Sequence, residues 1–172
     1  LVGKLAAVLD TRGAWVTEYL PEAGRLSSLA FRLDDGWVEE YEYRISGTPC
    51  EVVIERKSIF RVEDNVVDLY PDDPDLAPMG AVSYMGVPLL DPEGNVLGHL
   101  AVLDSKPMPE ESRVEAIFRI FAARASAELQ RLRAETGVRE REEKLSRLVD
   151  SAMDSIIELD NMLEVSMMNP AA

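Results

Sequence analysis

Two apolar segments, at residues 83–90 and 96–103, dominate the hydrophobic pattern of the chain. They are joined by the sequence DPEGN at 91–95, in which proline presets one turn residue and Gly94 accepts a positive φ. Apolar segments of this length bounded by turn residues are typical of buried strands. Neither segment alternates regularly between apolar and polar residues, so the pattern predicts a central β-hairpin in a sheet that is covered on both faces.

Turn residues divide the chain before this hairpin into short elements. A helix is predicted at 1–9, where Leu1, Leu5 and Leu9 share one face. Strands are predicted at 13–20, 25–32, 37–45 and 58–62, and a short helix at 50–56 follows Pro49. Residues 65–70 fit either a strand or a helical turn. Residues 71–78, with three prolines and three aspartates, predict a loop.

The C-terminal part of the chain has a helical pattern. A helix is predicted from Pro109, with apolar residues at helical spacing from Val114 to Leu132 and with Gly137 as a weak point. Residues 139–150 carry dense charges of both signs around an apolar stripe. This stripe fits either a short coiled coil or a helix packed antiparallel on its own domain. Two short strands are predicted at 157–160 and 163–167.

Composition is that of a globular protein. Of the 172 residues, 47% are hydrophobic and 29% are charged, and the formal net charge is −14 at pH 7. So acidic a surface repels phosphate backbones, and we expect no nucleic-acid partner. No uninterrupted apolar run reaches about 18 residues, so no membrane span is expected. The single cysteine, Cys50, excludes an internal disulfide and favours a reducing, cytoplasmic setting.

Cys50 and His99 have the most reactive side chains in the sequence. Cys50 lies near a predicted helix N-terminus, which would lower its thiol pKa and makes it a candidate redox residue. The alternative for Cys50 is a small buried hydrophobe. His99, the only histidine, would ligate haem, titrate near neutral pH or form a structural hydrogen bond. One histidine and one cysteine are too few of the usual ligands for a metal site, so none is expected.

Other motifs are incomplete. Asp72, Asp73 and Asp75 resemble part of a calcium loop, but the glycine and the distal glutamate of that motif are missing. We therefore predict that these three carboxylates are solvated surface. The sequence contains no P-loop, no dinucleotide fingerprint and no G-x-S-x-G motif. The chain is accordingly not expected to be an enzyme.

The central hairpin also carries a family resemblance. Its strands contain SYMGVPL at 83–89 and GHLAVLD at 98–104, and GTPC at 47–50 precedes the short helix. In this order, with helices at both ends, these motifs resemble a GAF domain, the small sensory module of signalling proteins, over about residues 1–132. The resemblance implies a mixed α/β (α+β) fold. Its antiparallel sheet of about six strands would lie between flanking N- and C-terminal helices on one side and a ligand pocket on the other, and a long C-terminal helix would carry the signal.

The C-terminal segment is similar to the beginning of a PAS domain. DSII at 154–157 and NPAA at 169–172 match the first helix, the first strand and the start of the next segment of that family. The two resemblances divide the chain into a GAF-like sensory domain at 1–133, a helical or coiled-coil linker at 134–153 and a truncated PAS start at 154–172. They imply a multidomain signalling protein whose output is a histidine kinase of a two-component system, a cyclic-dinucleotide enzyme or a transcription activator.

The GAF resemblance implies a regulatory sensory domain that binds a small molecule and passes the signal through its C-terminal helix. The candidate pocket walls are Phe60, Leu69, Tyr70, Met79 and Tyr84, and the sequence identifies no cofactor. The terminal helices would pair with those of a second subunit to form a homodimer, with the output domain in the same polypeptide. The alternative function is a ligand-free dimerisation and spacer module.

Overall fold

The computed structural model describes residues 1–152 and 154–171. The chain forms two compact units, Leu1–Gln130 and Arg131–Ala172. The predicted end of the linker at residue 153 and the final residue 172 lie outside the described residues. No helix formed by the residues that the structure describes combines the length and the apolarity needed to cross a membrane.

The first unit is a mixed α+β fold, as predicted. Its strands are β1 (Gly13–Leu20), β2 (Arg25–Leu33), β3 (Gly36–Val38), β4 (Glu42–Arg44), β5 (Phe60–Val62), β6 (Ser83–Leu90) and β7 (Val96–Asp104). Its helices are α1 (Val2–Leu9), α2 (Pro49–Arg56), α3 (Val66–Leu69) and the first part of α4 (Ser112–Asp150), which continues into the second unit. All residues of the first unit are described, and its seven strands form one antiparallel sheet in the order β3-β2-β1-β7-β6-β5, with β4 also paired to β2.

The predicted central hairpin is confirmed as β6 and β7. Its turn is closed by the Gly94 amide, which donates to the Asp91 carbonyl at 3.1 Å, and by the Asn95 amide, which donates to Asp91 Oδ1 at 2.7 Å. Gly94 has a φ of 81°, a left-handed conformation that glycine adopts without a steric penalty. The turn chemistry therefore sets the register of the strands at the centre of the sheet.

The predicted third strand, 37–45, is wrong as one element. It is split into β3 and β4, which both pair with β2. Glu40 between them has a φ of 50°, so the extended backbone is interrupted there, and the Tyr41 carbonyl accepts a hydrogen bond from the Ser28 amide at 2.8 Å. The break separates Tyr41 from the regular strand while β4 still holds Tyr43.

Smaller differences concern the helices. Residues 65–70, which fitted a strand or a helical turn, contain the short helix α3. The helix predicted from Pro109 begins at Ser112 instead. It continues through Gly137, where an added Cβ would meet no atom within 4 Å. The weak point therefore does not end the helix.

The sheet is covered on both faces, as its apolar strands predicted. On the first face, α1 and α4 pack on the sheet in one cluster that includes Leu5, Met85 and Phe118. On the second face, α2, α3 and the loop before β6 form a cluster that includes Val53, Leu76 and Tyr84. Adjacent residues of β6 thus belong to opposite cores, because side chains alternate along a strand.

The second unit contains the C-terminal part of α4 and a hairpin of β8 (Ile157–Leu159) and β9 (Val165–Met168). Asp160 closes the turn, since its Oδ1 accepts hydrogen bonds from the amides of Met162 and Glu164 at 2.8 and 2.9 Å. The two predicted terminal strands are confirmed. Apolar side chains of this hairpin, among them Ile157, Leu159 and Val165, are exposed.

Candidate functional site

A small cavity lies on the second face of the sheet, under the loop before β6. Its walls come from β1, β2, β4, α2, β6 and β7, and its volume is about 20 Å³. That volume holds roughly one water molecule. We call it the aromatic cavity; it is lined by Trp15, Phe31, Tyr41, Tyr43, Pro49, Cys50, Asp73, Asp75, Leu76, Met79, Tyr84 and Leu103.

Cys50 lies at the polar centre of the aromatic cavity. Its Sγ is 3.3 Å from the Tyr43 hydroxyl and accepts a hydrogen bond from the Tyr84 hydroxyl at 3.4 Å. The Trp15 indole donates to the Tyr43 hydroxyl at 3.1 Å. Pro49 begins α2 directly before this cysteine, which places the thiol on the first turn of the helix. The four side chains thus form a buried polar network inside an aromatic wall.

The electrostatics of Cys50 differ from the prediction made from its helix position. Burial raises the pKa of the thiol to about 11, although hydrogen bonds from Tyr43 and Tyr84 act in the opposite direction. The helix N-terminus therefore does not activate the thiol, because desolvation penalises the thiolate more than the hydrogen bonds favour it. The same burial raises the pKa of the Tyr43 and Tyr84 hydroxyls. All three groups are neutral at physiological pH.

Two carboxylates form the acidic edge of the aromatic cavity. Asp75 Oδ2 accepts a hydrogen bond of 2.5 Å from the Tyr41 hydroxyl, and Asp73 Oδ1 accepts one of 3.0 Å from the Asp75 amide. Both aspartates are half-buried, and burial raises the pKa of Asp73. The prediction of solvated surface is thus correct for the exposed Asp72 but wrong for Asp73 and Asp75, because the loop folds back over the sheet.

The cover loop (residues 71–80) closes the aromatic cavity. Leu76 is only 4% exposed and, together with Met79, lies over the aromatic walls. The loop holds its shape through turns, in which the Met79 amide donates to the Asp75 carbonyl at 3.0 Å and the Ala81 amide donates to the Leu76 carbonyl at 2.9 Å. The shape of the cover loop is therefore held in part by its own backbone hydrogen bonds.

Gly86 lies on the floor of the site, where there is no room for a larger side chain. A Cβ at this position would lie 2.8 Å from Val53 Cγ2 and would also overlap the Tyr84 hydroxyl. The glycine thus leaves the space in which the Tyr84 hydroxyl reaches Cys50. This is a close-approach requirement rather than a turn requirement, since Gly86 lies inside β6.

The family model of the GAF domain matches residues 1–129. The chain belongs to the GAF family. Among solved structures, the GAF domain from the Coxiella burnetii phosphoenolpyruvate-protein phosphotransferase superposes with a TM-score of 0.64 at 19% identity, covering 79% of this chain and 82% of that one. The corresponding Acinetobacter domain gives 0.63 at 17%, covering 79% and 81%. The blue-light absorbing form of the Thermosynechococcus elongatus PixJ GAF domain gives 0.62 at 18%, covering 83% and 88%.

At these identities, the structural likeness shows a shared GAF fold, and it says nothing about a ligand. No curated protein sequence matches the chain. The site of this GAF domain is therefore described from its own residues.

The structure brings only part of the predicted pocket together. Of the five predicted pocket residues, Met79 and Tyr84 line the aromatic cavity, and the redox candidate Cys50 lies there with them. Phe60 and Tyr70 instead pack on each other edge to face, with ring centroids 6.5 Å apart, and Leu69 is 62% exposed. None of these last three lines the cavity, because β5 is the edge strand of the sheet and α3 directs Leu69 to solvent.

Several lining residues were not predicted. The aromatic walls come from β1, β2 and the segment 41–43, which are distant in sequence from the hairpin; they are Trp15, Phe31, Tyr41 and Tyr43. Spacing by two residues places Tyr41 and Tyr43 on one side of the chain, and this was the available signal. The signal was hidden because both tyrosines alternate with glutamates in a segment that was interpreted as a plain edge strand.

His99 lies outside the aromatic cavity and is fully buried. Its Nδ1 is 2.6 Å from the Thr17 hydroxyl, and its Nε2 has no hydrogen-bond partner among the described residues. Burial lowers the pKa of the imidazole to about 3, so the ring is neutral. Within residues 1–152 and 154–171, no group of three or more His, Cys, Asp or Glu side chains is arranged to hold a metal ion.

A larger groove of about 470 Å³ lies between the end of α1 and the start of α4. It is lined by charges of both signs, and Lys106 in it pairs with Asp10 at 3.0 Å and with Asp104 at 3.9 Å. Its lysine is thus already compensated by neighbouring carboxylates. The aromatic cavity, where polar and aromatic groups converge without such pairing, is the stronger candidate site.

Proposed function

We propose that this GAF domain is a regulatory sensory module of a signal-transduction protein, that it binds a small molecule in the aromatic cavity, and that it passes the signal through α4. The observation that carries the proposal is the convergence of neutral hydroxyls, a thiol and two half-buried carboxylates on one aromatic-lined cavity under an irregular loop. Apolar pockets with a few convergent polar groups are the usual form of small-molecule sites. No catalytic role is proposed for any of these residues.

Binding requires movement of the cover loop. Small-molecule sites typically occupy about 300 to 1,000 Å³, far more than the present 20 Å³. Leu76 and Met79 are the apolar residues by which the cover loop lines the cavity, so their displacement would enlarge it. Sites that close over a ligand are commonly covered by loops of this kind.

The path from the cavity to α4 runs through the sheet. Tyr84 contacts the cavity, whereas its neighbour Met85 belongs to the opposite core, which also contains Phe118 and Leu129 of α4. A displacement of β6 at Tyr84 would therefore change the packing beneath α4. Signalling by this route needs two arrangements of the helix whose free energies differ by a few kcal/mol, with the ligand favouring one of them.

The domain context belongs to the same proposal. The hairpin of β8 and β9 exposes apolar side chains, which suits the first strands of a larger sheet and supports the PAS resemblance. A PAS domain would follow the GAF domain, and an output domain in the same polypeptide would follow the PAS domain. Homodimerisation through the terminal helices is supported by the exposed apolar residues of α4, among them Ile120 at 69% and Leu145 at 62%.

One observation favours the alternative of a ligand-free dimerisation and spacer module. The aromatic cavity is filled by its own side chains down to about 20 Å³. In that alternative the aromatic cluster is only a core, and α4 acts as a dimer interface and connector. The two carboxylates at the cavity edge favour the sensory function, because carboxylates are rarely found in a purely apolar core.

Native mass spectrometry of the protein purified from its own host tests the proposal. The expected result is a retained small molecule that is lost from a Met79→Trp variant, in which a larger side chain lines the cavity from a half-buried position of the cover loop. A folded wild-type protein that carries no molecule, and whose Trp15 environment is unchanged by charged, neutral and aromatic small molecules, would establish the spacer function instead.

A further inference from the structure

We infer that the ligand of the aromatic cavity is a small organic cation, such as a primary or quaternary amine. This inference rests on the proposed ligand-binding function and names the ligand class. It follows from three features of the cavity, namely its charges, its aromatic faces and its burial.

All charged side chains that line the aromatic cavity are acidic, and they are Asp73 and Asp75. Among residues 1–152 and 154–171, no lysine or arginine nitrogen lies within 4.0 Å of either carboxylate. Other aspartates do form such pairs, as Asp34 does with Arg12 at 2.7 Å and Asp10 with Lys106 at 3.0 Å. An anionic ligand would be repelled by the two carboxylates. A neutral ligand that closed the site would leave them without a counter-charge.

The aromatic rings provide a second attraction for a cation. Ring centroids of Tyr41 and Tyr43 are 5.0 Å apart, those of Tyr41 and Phe31 are 5.2 Å apart, and those of Trp15 and Phe31 are 5.3 Å apart. Opening the cover loop would present this cluster to a ligand. The face of an aromatic ring attracts cations, and several rings together form the kind of cage that holds an ammonium group.

Burial makes binding of a cation favourable for the two carboxylates. Desolvation already raises the pKa of Asp73, and the nearby Asp75 carboxylate raises it further. A cation beside the two groups would offset both effects, because an opposite charge favours the ionised form. Asp75 would keep one oxygen for the Tyr41 hydroxyl and use the other for the ligand.

The size of the ligand is limited by the cover loop. Displacing Leu76 and Met79 frees space comparable with two side chains, and the loop must then close again. The ligand is accordingly small, with its charged group between the carboxylates and the rings. The net charge of −14 adds a long-range attraction for cations at low salt.

Fluorescence titration of Trp15 in a Trp37→Phe background tests the ligand class. Trp37 is 63% exposed on the edge strand β3, so its removal leaves the cavity intact and assigns the signal to Trp15. The probes are tetramethylammonium, choline and the uncharged alcohol in which a quaternary carbon replaces the nitrogen of choline. Saturable binding of at least one cation, at least about tenfold tighter than the alcohol, is expected from its ring and carboxylate attractions.

Matched variants locate the charge effect. Asp73→Asn and Asp75→Asn should each weaken binding of the cation about tenfold and leave binding of the alcohol unchanged. The control Asp72→Asn removes the same charge from an exposed position of the same loop and should change neither affinity by more than about twofold. Equal effects of the three substitutions would show general electrostatic attraction and overturn the inference.

The outcomes separate the ligand class from the proposed function. Binding of the alcohol, or retention of a neutral or anionic molecule in native mass spectrometry, with no binding of either cation would overturn the cation class and leave the sensory function in place. Absence of binding by all three probes, together with no retained molecule, would overturn both.

Discussion

The Tyr41 hydroxyl donates a hydrogen bond of 2.5 Å to Asp75 Oδ2, joining residues that are 34 positions apart in the sequence. The bond connects the segment between β3 and β4 to the cover loop above the aromatic cavity. Burial and the neighbouring carboxylate both raise the pKa of Tyr41, so its hydroxyl keeps its proton and remains a donor. This polar connection between the edge of the sheet and the cover loop is therefore independent of pH near neutrality.

Tyr41→Phe should loosen the cover loop. Loss of a hydrogen bond to a charged acceptor costs about 1 to 3 kcal/mol in free energy of unfolding. Hydrogen exchange at the Met79 and Ala81 amides, whose acceptors lie within the cover loop, should become faster than in the wild type. The control is Tyr70→Phe, because the Tyr70 hydroxyl has no hydrogen-bond partner in the described part of the chain. Unchanged exchange in Tyr41→Phe would show that the bond does not hold the loop.

Cys50 should be unreactive in the folded protein. Its pKa of about 11 leaves roughly one thiolate per thousand thiols at about pH 8, and its side chain is buried. Alkylation by iodoacetamide should therefore be at least about a hundredfold slower than in the denatured protein. Rapid native alkylation would instead support the redox role predicted from the helix position. Leu76→Ala, which uncovers the cavity, should increase the native rate.

His99 should make stability depend on pH in a defined direction. Burial lowers its pKa from 6.5 to about 3, so in this window the unfolded chain binds a proton that the folded protein does not. The contribution of His99 to the free energy of unfolding should therefore be fully present above about pH 6.5. Below that pH the free energy of unfolding should decrease, with a slope approaching about 1.4 kcal/mol per pH unit.

Denaturant titrations of the wild type and His99→Gln between about pH 7.5 and about pH 5 isolate this contribution. The free energy of unfolding of the wild type should decrease relative to that of the variant as the pH falls. His99 is the only histidine, and the other titrating groups are common to both proteins. Asp73, whose pKa is raised, contributes with the opposite sign in both proteins. Parallel curves would mean that His99 binds its proton equally in the folded and unfolded states, so that folding does not lower its pKa.

Asn169 should hold the end of α4 to the terminal hairpin. Its Nδ2 donates to the carbonyls of Val149 at 3.1 Å and Asp154 at 3.0 Å, and its Oδ1 accepts from the Ile156 amide at 2.9 Å. Asn169→Ala removes the acceptor of the Ile156 amide and should increase hydrogen exchange at Ile156 by at least about tenfold. Asn161→Ala, on the exposed turn of the hairpin, is the matched control. Equal exchange in both variants would argue against the connection.

Leu145→Glu tests the proposed homodimer. Leu145 is 62% exposed on the part of α4 that belongs to the second unit, so a carboxylate is tolerated in the monomer but not in an apolar interface between helices. Light scattering should show a dimer for the wild type and a monomer for the variant. Ser146→Glu adds the same charge one position further along, on another side of the helix, and should remain dimeric. A dimeric Leu145→Glu protein would exclude this stripe as the interface.

Local sequence was enough to identify most of the elements. The DPEGN turn and its two apolar flanks predicted β6 and β7 because the turn chemistry and the burial of both strand faces are encoded by adjacent residues. The same residues carried the GAF resemblance. The third strand was predicted incorrectly, because the residue that divides it has a left-handed backbone but is Glu40. Glycine or asparagine, the usual residues in that conformation, would have indicated the break.

The candidate site depended on the tertiary structure. Cys50 and Tyr84 were identified from the sequence, but Trp15, Phe31, Tyr41 and Tyr43 reach the same cavity only through the pairing of β1, β2, β4 and β7. Asp73 and Asp75 show the difference most clearly. Their sequence is that of a polar surface loop, and only the position of the cover loop over the sheet turns them into half-buried groups beside aromatic rings.

The sequence by itself determined most of the helices and strands and the two-faced burial of the sheet, because turn propensities and hydrophobic periodicity act between near neighbours. Its motifs also carried the GAF resemblance. Only the tertiary structure decided the charge and the closure of the site. The pKa of Cys50 is raised although its helix position predicted a decrease, and the cavity has a volume of only about 20 Å³. Both outcomes come from desolvation and packing by residues far apart in sequence, which no local pattern records.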